Sequence, residues 1–404
     1  MTTTSAGAQA SADTSAATGR PAADPRAGSL LDRVTRVAVQ VVGPASDDVD
    51  RLARFPREGV DALREVGALS CLVDTDEHAA SPLSEVARAT EVLGKHCAST
   101  AMIFAMHQIQ VASLVRHGRN PGLQAFLRRV ADEQLLLASA TTEAGIGGDV
   151  RTSSCHVQRA DGRFSLAKNA PVISYGAYAD GVLATARRTE DSPPNDQVLV
   201  VCLPPDLTLE QKSEWNTLGF RGTCSPGFLL SATGPVEHVL DDPYGDISTY
   251  TMLPTSHVLW GSVWLGLATS AVERARHFVR AAARAKPGIH NPAAVRLAEL
   301  MSVYQQMVEL VHGAARTADE TADKFESRSG LGFAIHMNNV KISASDLVVD
   351  IVHRATLICG IAGYREDTPY RMGRLIRDSY GAALMVNNDR ILTNNAQLLL
   401  VHKD

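Results

Sequence analysis

Residues 156–167 read His-Val-Gln-Arg-Ala-Asp-Gly-Arg-Phe-Ser-Leu-Ala, and this stretch decides the fold. Asp161-Gly162 is a turn pair between two segments of alternating side chains, which predicts a β-hairpin. Short apolar runs continue over 180–188, 196–204 and 225–240, punctuated by Pro193-Pro194-Asn195-Asp196 and Pro204-Pro205. No helical period falls between these runs. Residues 138–245 therefore read as an antiparallel β-barrel domain of about seven strands, and a doubly wound parallel sheet is disfavoured.

Outward from this block, both flanks turn helical. Upstream, Leu30, Leu31, Val34, Val37, Ala38 and Val41 recur at spacings of three and four, which predicts an amphipathic helix. Phe55-Pro56 and Ser81-Pro82 each open another, residues 99–118 form an apolar and hence buried one, and 121–137 an amphipathic one. Downstream, long helices are predicted over 257–285, 292–325, 333–359 and about 374–400. Lys286-Pro287-Gly288 stops the first of them. Short connections make the four an up-and-down bundle. The expected architecture is α+β: a tail over 1–28, an N-terminal helical domain over 29–137, the β domain over 138–245, and a C-terminal four-helix bundle over 246–404.

Composition narrows the function classes. Hydrophobic residues are 45% and charged residues 21% of the 404, enough for a sizeable core. A net charge of −5 offers no case for nucleic acid or an anionic membrane as partner. No continuous apolar run is long enough to span a bilayer. Six cysteines without C-x-x-C or zinc-type spacing read as reduced thiols in a cytoplasmic protein, with no metal expected. The first 28 residues are small and polar, lack a secretory apolar region, and are expected to be a disordered tail. Nucleophile-elbow, P-loop and H-E-x-x-H motifs are absent, which removes support for hydrolase, NTPase and zincin readings.

Five local motifs carry more. Thr142-Glu143-Ala144-Gly145-Ile146-Gly147-Gly148-Asp149-Val150 taken alone is a glycine-rich turn, without the spacing of a dinucleotide-binding loop. It resembles the "TEPGAGSD" segment of acyl-CoA dehydrogenases. In the same order, Phe55-Pro56, Ala179-Asp180, Leu218–Thr223, and Cys359–Tyr364 followed by Arg374–Asp378 are similar to that family's first helix, its "AD", its "LGMRGT" turn and its "GGxGY…RxxRD". The resemblance runs from about residue 30 to 400. It implies that fold and an FAD-dependent oxidoreductase acting on an acyl thioester of coenzyme A or a carrier protein.

By that resemblance, Thr142, Gly147, Ser174 and Asn388 would meet the flavin. Gly360 and Gly363 would let backbone approach the ADP half of a neighbouring subunit's FAD, which implies a homodimer or homotetramer. Arg284 or Arg280 is the nearest candidate for the FAD pyrophosphate, because Ala282 stands at the aligned arginine position. Two departures stand out. The commonest place of the family's proton-abstracting glutamate falls on Val386 and the alternative place, on the first bundle helix, near Ser256 or His257, none a carboxylate; that of the tryptophan covering the flavin falls on Val172. Without a positioned base, α-proton removal has no obvious agent. His107, on the apolar helix 99–118, and Asp389 are the remaining catalytic candidates. The alternative is a flavin-dependent monooxygenase of the same fold, which uses reduced flavin and oxygen.

Overall fold

Ser29 opens the first helix: its hydroxyl accepts from the Asp32 backbone N–H while the Asp32 carboxylate accepts from that of Ser29. In the computed structural model, residues 1–3, 24–76, 78–145, 151–285, 287 and 292–402 are described. Residues 4–23 of the expected tail and Gly147 lie outside them. Part of that tail is bound, since Arg36 holds the Pro25 and Ala27 carbonyls. From Ser29, α1 (Leu30–Val37) runs through a π-turn at Ala38–Val42 into α2 (Gly43–Arg51). Next come α3 (Arg57–Glu65), α4 (Leu83–His96), α5 (Ala98–His117) and α6 (Pro121–Glu133). Helix α5 is apolar and long enough to cross a bilayer by composition, yet 83% of that window is buried in the protein. It is the axis of the N-terminal helices.

The hairpin forms as its sequence requires. β2 (Gln158–Ala160) pairs antiparallel with β3 (Arg163–Ala170), and Asp161 and Gly162 take φ of +50° and +73° between them. Two consecutive left-handed residues match the right-handed twist of the flanking strands. The other strands are β1 (Leu137–Ala140), β4 (Gly181–Arg187), β5 (Gln197–Cys202), β6 (Leu207–Gln211) and β7 (Phe228–Pro235).

These strands do not close into a barrel, contrary to the expectation. They form two sheets, ordered β1-β4-β5 and β2-β3-β7-β6. β2 has only three residues, all exposed, and cannot carry the ladder across to the other sheet. Nor is the domain wholly antiparallel. β1 and β4 run parallel, because the chain between them spends its length on the hairpin and re-enters in the same direction.

After α7 (Tyr244–Ile247), a π-turn leads into α8 (Leu253–Ala285), followed by α9 (Pro292–Glu320), α10 (Phe325–Ser329), α11 (Leu331–Cys359), α12 (Ile361–Tyr364), α13 (Gly373–Ser379) and α14 (Asn388–Val401). The expected helix over 374–400 is thus two helices. Val386 takes φ +44°, and the Asn387 side chain accepts from the Asp389 N–H to start α14 afresh.

What joins the N-terminal helices to the bundle is a close crossing of α4 and α8. A β-carbon on Gly94 would stand 2.5 Å from the Val263 carbonyl oxygen, and one on Gly266 would overlap the Glu91 carbonyl. Leu93, Val263, Leu267 and Ala268 are fully buried around this contact. Backbone meets backbone there, so neither position has room for a methyl group. His107 forms the other strut. Its Nδ1 accepts from the Leu137 N–H at 3.0 Å, so Nε2 carries the proton and donates to the Leu69 carbonyl at 2.6 Å. It ties α5 to the first strand and to the turn after α3.

Two expected outcomes follow. Gly266→Ala lowers stability by about 1–3 kcal/mol, the usual range for overpacking, read from the denaturant midpoint; an unchanged midpoint would show that the helices part freely. Burial lowers the His107 pKa from 6.5 to about 4, so its neutral form belongs to the folded state. Its contribution is whole above pH 6.5 and is lost as pH falls towards 4, on the order of 3 kcal/mol. Urea titrations at pH 7, 6 and 5 should show the midpoint falling. Asp378, raised to about 6 by its own burial, works in the opposite sense below pH 6 and flattens the slope.

Candidate functional site

A cavity of about 550 Å³ opens between the sheets, α5 and the start of α8. Each wall has its own chemistry. Helix α5 contributes Met102, Met106, Ile109 and Gln110, and the α7–α8 segment contributes Met252, Leu253 and Trp260. The sheet side contributes hydroxyls from Ser139, Thr141, Thr142, Ser174, Thr223 and Ser225. The turn between α13 and α14 closes the mouth with Tyr380, Leu384, Met385 and Val386.

Two of the sequence motifs meet at this mouth. The Phe220 N–H donates to the Asp378 carboxylate at 2.7 Å, and Arg377 donates to the Leu218 carbonyl at 3.3 Å. A β-carbon on Gly219 would overlap the Arg377 carbonyl, so glycine is what lets the 218–223 turn lie against α13. Arg377 is itself held by Asp50 at 2.9 Å. Phe55 stacks on Tyr178 with centroids 4.3 Å apart. Asp180 accepts from the Leu136 N–H and from Arg64, both at 2.7 Å, which pins α3 to the first strand. The 218–223 turn and Arg377 also line the cavity, whereas Phe55 and Asp180 serve its frame from outside the lining.

The proposed flavin contacts divide. Thr142 and Ser174 face the cavity; the Thr142 hydroxyl reaches the Val172 carbonyl at 3.3 Å, and Ser174 accepts from the Ser225 hydroxyl at 2.9 Å. Accepting there leaves the Ser174 O–H to donate inward. Val172 lines the same wall, 38% exposed. Asn388 lies outside the lining, with its side-chain oxygen held by Lys341 at 2.7 Å. Arg284 is exposed near the end of α8, away from the cavity. Gly360 caps α11 with φ +56°, and Gly363 packs on Cys359; within one chain neither reaches the cavity.

The catalytic candidates also move. His107 is a correction: it is fully buried outside the lining, with both ring nitrogens bonded to backbone, and has none left for chemistry. Asp389 is exposed in the first turn of α14, where a carboxylate suits the helix dipole, and does not line the cavity either. Glu143 is buried and saturated by Ser153 at 2.6 Å, the Cys155 N–H at 2.9 Å and Lys168 at 3.5 Å. Burial would raise its pKa, but the Ser153 and Ser154 hydroxyls, both donating to it, and Lys168 hold it below the ordinary carboxylate range. His257 does line the cavity. Its Nδ1 lies 3.0 Å from the Met337 carbonyl, and burial lowers its pKa to about 3, so the ring is neutral.

The result is a cavity lining with no Asp or Glu among the described residues. Val386 stands at its mouth in a left-handed conformation, unusual for a β-branched side chain and costing on the order of 1–3 kcal/mol. Gln110 Oε1 and Trp260 Nε1, on two lining side chains, are buried without a protein partner. Such atoms in a cavity wall fit a bound group that completes the wall. Sequence reasoning missed both; Gln110 sits within a helix read only as apolar. The polar sheet wall and these two atoms suit a large, flat, hydrogen-bonding cofactor.

Comparison with known proteins agrees with this architecture. Family models described as the N-terminal and C-terminal domains of acyl-CoA dehydrogenase match residues 25–134 and 249–391. Cyclohex-1-ene-1-carbonyl-CoA dehydrogenase of Syntrophus aciditrophicus is 25% identical, over 87% of this chain and 84% of its own length. A short-chain acyl-CoA dehydrogenase of Clostridium acetobutylicum is 23% identical over 86% and 90%. Among solved structures, FMN-bound TdsC of Paenibacillus sp. A11-2 superposes with a TM-score of 0.81 at 18% identity, covering 93% of this chain and 98% of that one. Glutaryl-coenzyme A dehydrogenase in complex with glutaryl-CoA gives 0.76 at 18%, covering 92% and 94%. With both domain models matched in order on either side of the two-sheet middle region, this chain belongs to the acyl-CoA dehydrogenase family.

Proposed function

We propose that this oxidoreductase of the acyl-CoA dehydrogenase type binds a flavin against the hydroxyl-lined sheet wall and oxygenates an uncharged, mostly apolar substrate. The observation that carries the reading is the lining itself: among the described residues it has no carboxylate, its one cation, Arg377, is paired with Asp50, and its one histidine, with a pKa lowered by burial to about 3, is at most a weak base. Removing an α-proton from a thioester calls for a base within hydrogen-bond reach, whereas oxygenation needs a dry cavity and an oriented substrate.

A reduced flavin bound there would supply the two electrons that divide dioxygen between the substrate and water. The chain's own part is binding and exclusion. Thr142 and Ser174 present hydroxyls to the flavin edge, and Val172 covers it with a small apolar side chain. Met102, Met106 and Met252 offer adaptable apolar contact to the substrate. Leu384 and Val386 shield the mouth from water.

The curated relatives, whose names are acyl-CoA dehydrogenases, support a second reading, in which the substrate is an acyl thioester and another group supplies the base. On either reading, FAD as the cofactor makes a dimer or a dimer of dimers part of the proposal. The Gly360–Tyr364 turn lies outside its own cavity lining, with Ile361 and Tyr364 74% and 78% exposed, and would serve a neighbouring copy.

Anaerobic mixing of the holoprotein with a panel of saturated acyl-CoAs should leave the flavin absorbance nearly unchanged, because lacking a positioned base typically costs about 10²–10⁴-fold. Val386→Glu should gain some flavin reduction if the acyl chain reaches that side chain. Reduced holoprotein given ¹⁸O₂ and uncharged aromatic substrates should place label in the product. Rapid bleaching by an acyl-CoA in the unmodified protein would overturn the oxygenase reading in favour of the dehydrogenase.

A further inference from the structure

We infer that Lys341 is a positioning residue for the cavity: its buried ammonium latches the 380–387 turn closed through the Val386 carbonyl and the Asn388 side chain, and so sets access to the site. The inference concerns the wall and holds whichever chemistry occurs behind it.

Lys341 has no exposed surface. A buried ammonium is costly unless its donors are met, usually by a carboxylate. Here no Asp or Glu among the described residues lies within ion-pair distance of it. Its Nζ instead donates to the Val386 carbonyl at 3.0 Å and to Asn388 Oδ1 at 2.7 Å, and stands 5.7 Å from the centre of the Trp264 ring. Burial lowers its pKa to about 8, with Asp346 opposing, so it stays charged at neutral pH. Two of its three contacts thus fall at the end of one turn. Asn388 is fixed from its other side by Ser345, to whose hydroxyl its amide donates at 3.0 Å.

That turn is one that would open if it were not held. Val386 is in the left-handed region. Tyr380, Leu384 and Val386 are 54%, 73% and 44% exposed, so the turn buries little of its own apolar surface. Its entry is anchored by Asp378 on the Phe220 N–H and by the buried Ala382. Its exit is anchored at Val386 and Asn388 by Lys341, beside a single backbone bond from the Asn388 N–H to the Ala383 carbonyl at 3.1 Å. Tyr380, Leu384, Met385 and Val386 line the cavity, so releasing the exit moves the wall.

Hydrogen exchange by mass spectrometry on the full chain tests the latch without reference to activity. In Lys341→Met, which keeps the length of the side chain, amides over 380–388 should exchange about tenfold faster, as expected for losing charged hydrogen bonds, while α11 amides keep the wild-type rate. Lys341→Arg, which retains donors, should restore part of the protection. Asn388→Ala leaves the ammonium in place but removes one acceptor, and should give a smaller acceleration in the same peptide. It decides the matter should Lys341→Met fail to fold. Unchanged exchange at 380–388 in a folded Lys341→Met or in Asn388→Ala would overturn the latch. So would equal acceleration in α11, which would make Lys341 a packing residue of the bundle.

Discussion

The crossing of α4 and α8 is the constraint on which the rest of the molecule depends. Gly94 and Gly266 let two backbones touch, which no larger residue permits. That contact sets how near α5, packed on α4, comes to the start of α8, and the cavity is the space left between those two helices and the sheets. Widening the crossing by one methyl group would displace Met102 and Trp260 relative to each other, although neither touches a glycine of the pair. A steric limit remote from the cavity thus fixes its width.

Polar groups are distributed by a second rule. The carboxylates near the site, Glu143 and Asp378 buried and Asp180 half-exposed, each hold backbone donors: Glu143 the Cys155 N–H, Asp180 the Leu136 N–H, Asp378 the Phe220 N–H. They frame the cavity from outside and are occupied there. The hydroxyls, which cost less to bury and can both donate and accept, face inward. This division yields an adaptable interior whose one charged side chain among the described lining residues, Arg377, is paired with Asp50, inside a family whose architecture can carry a catalytic carboxylate. One consequence is that the mouth, where that carboxylate would stand, is apolar and needs another means of being held. The ammonium of Lys341, reaching a carbonyl rather than a carboxylate, suits that place.

Much of the frame was legible in the chain. Asp161-Gly162 encodes its own geometry, since both residues take left-handed conformations that a tight hairpin requires. The Leu218–Thr223 and Arg374–Asp378 motifs could be recognised separately, but that one caps the other could not, because 158 residues separate the Phe220 and Asp378 partners. The break at 380–387 was hidden by an apolar content that suits a helix equally well. His107 misled for a related reason. A histidine on an apolar helix reads as a candidate base, and only the positions of the Leu69 carbonyl and the Leu137 N–H show that it is a strut.

By itself the sequence determined the order of helical, β and helical blocks and the hairpin, because each rests on local periodicity or turn chemistry. The tertiary structure alone decided that the strands form two open sheets, that the last helix is broken, that no carboxylate among the described residues lines the cavity, and that a buried lysine holds its mouth. Those properties depend on which distant groups satisfy each buried donor and acceptor, and that pairing exists only once the chain has packed.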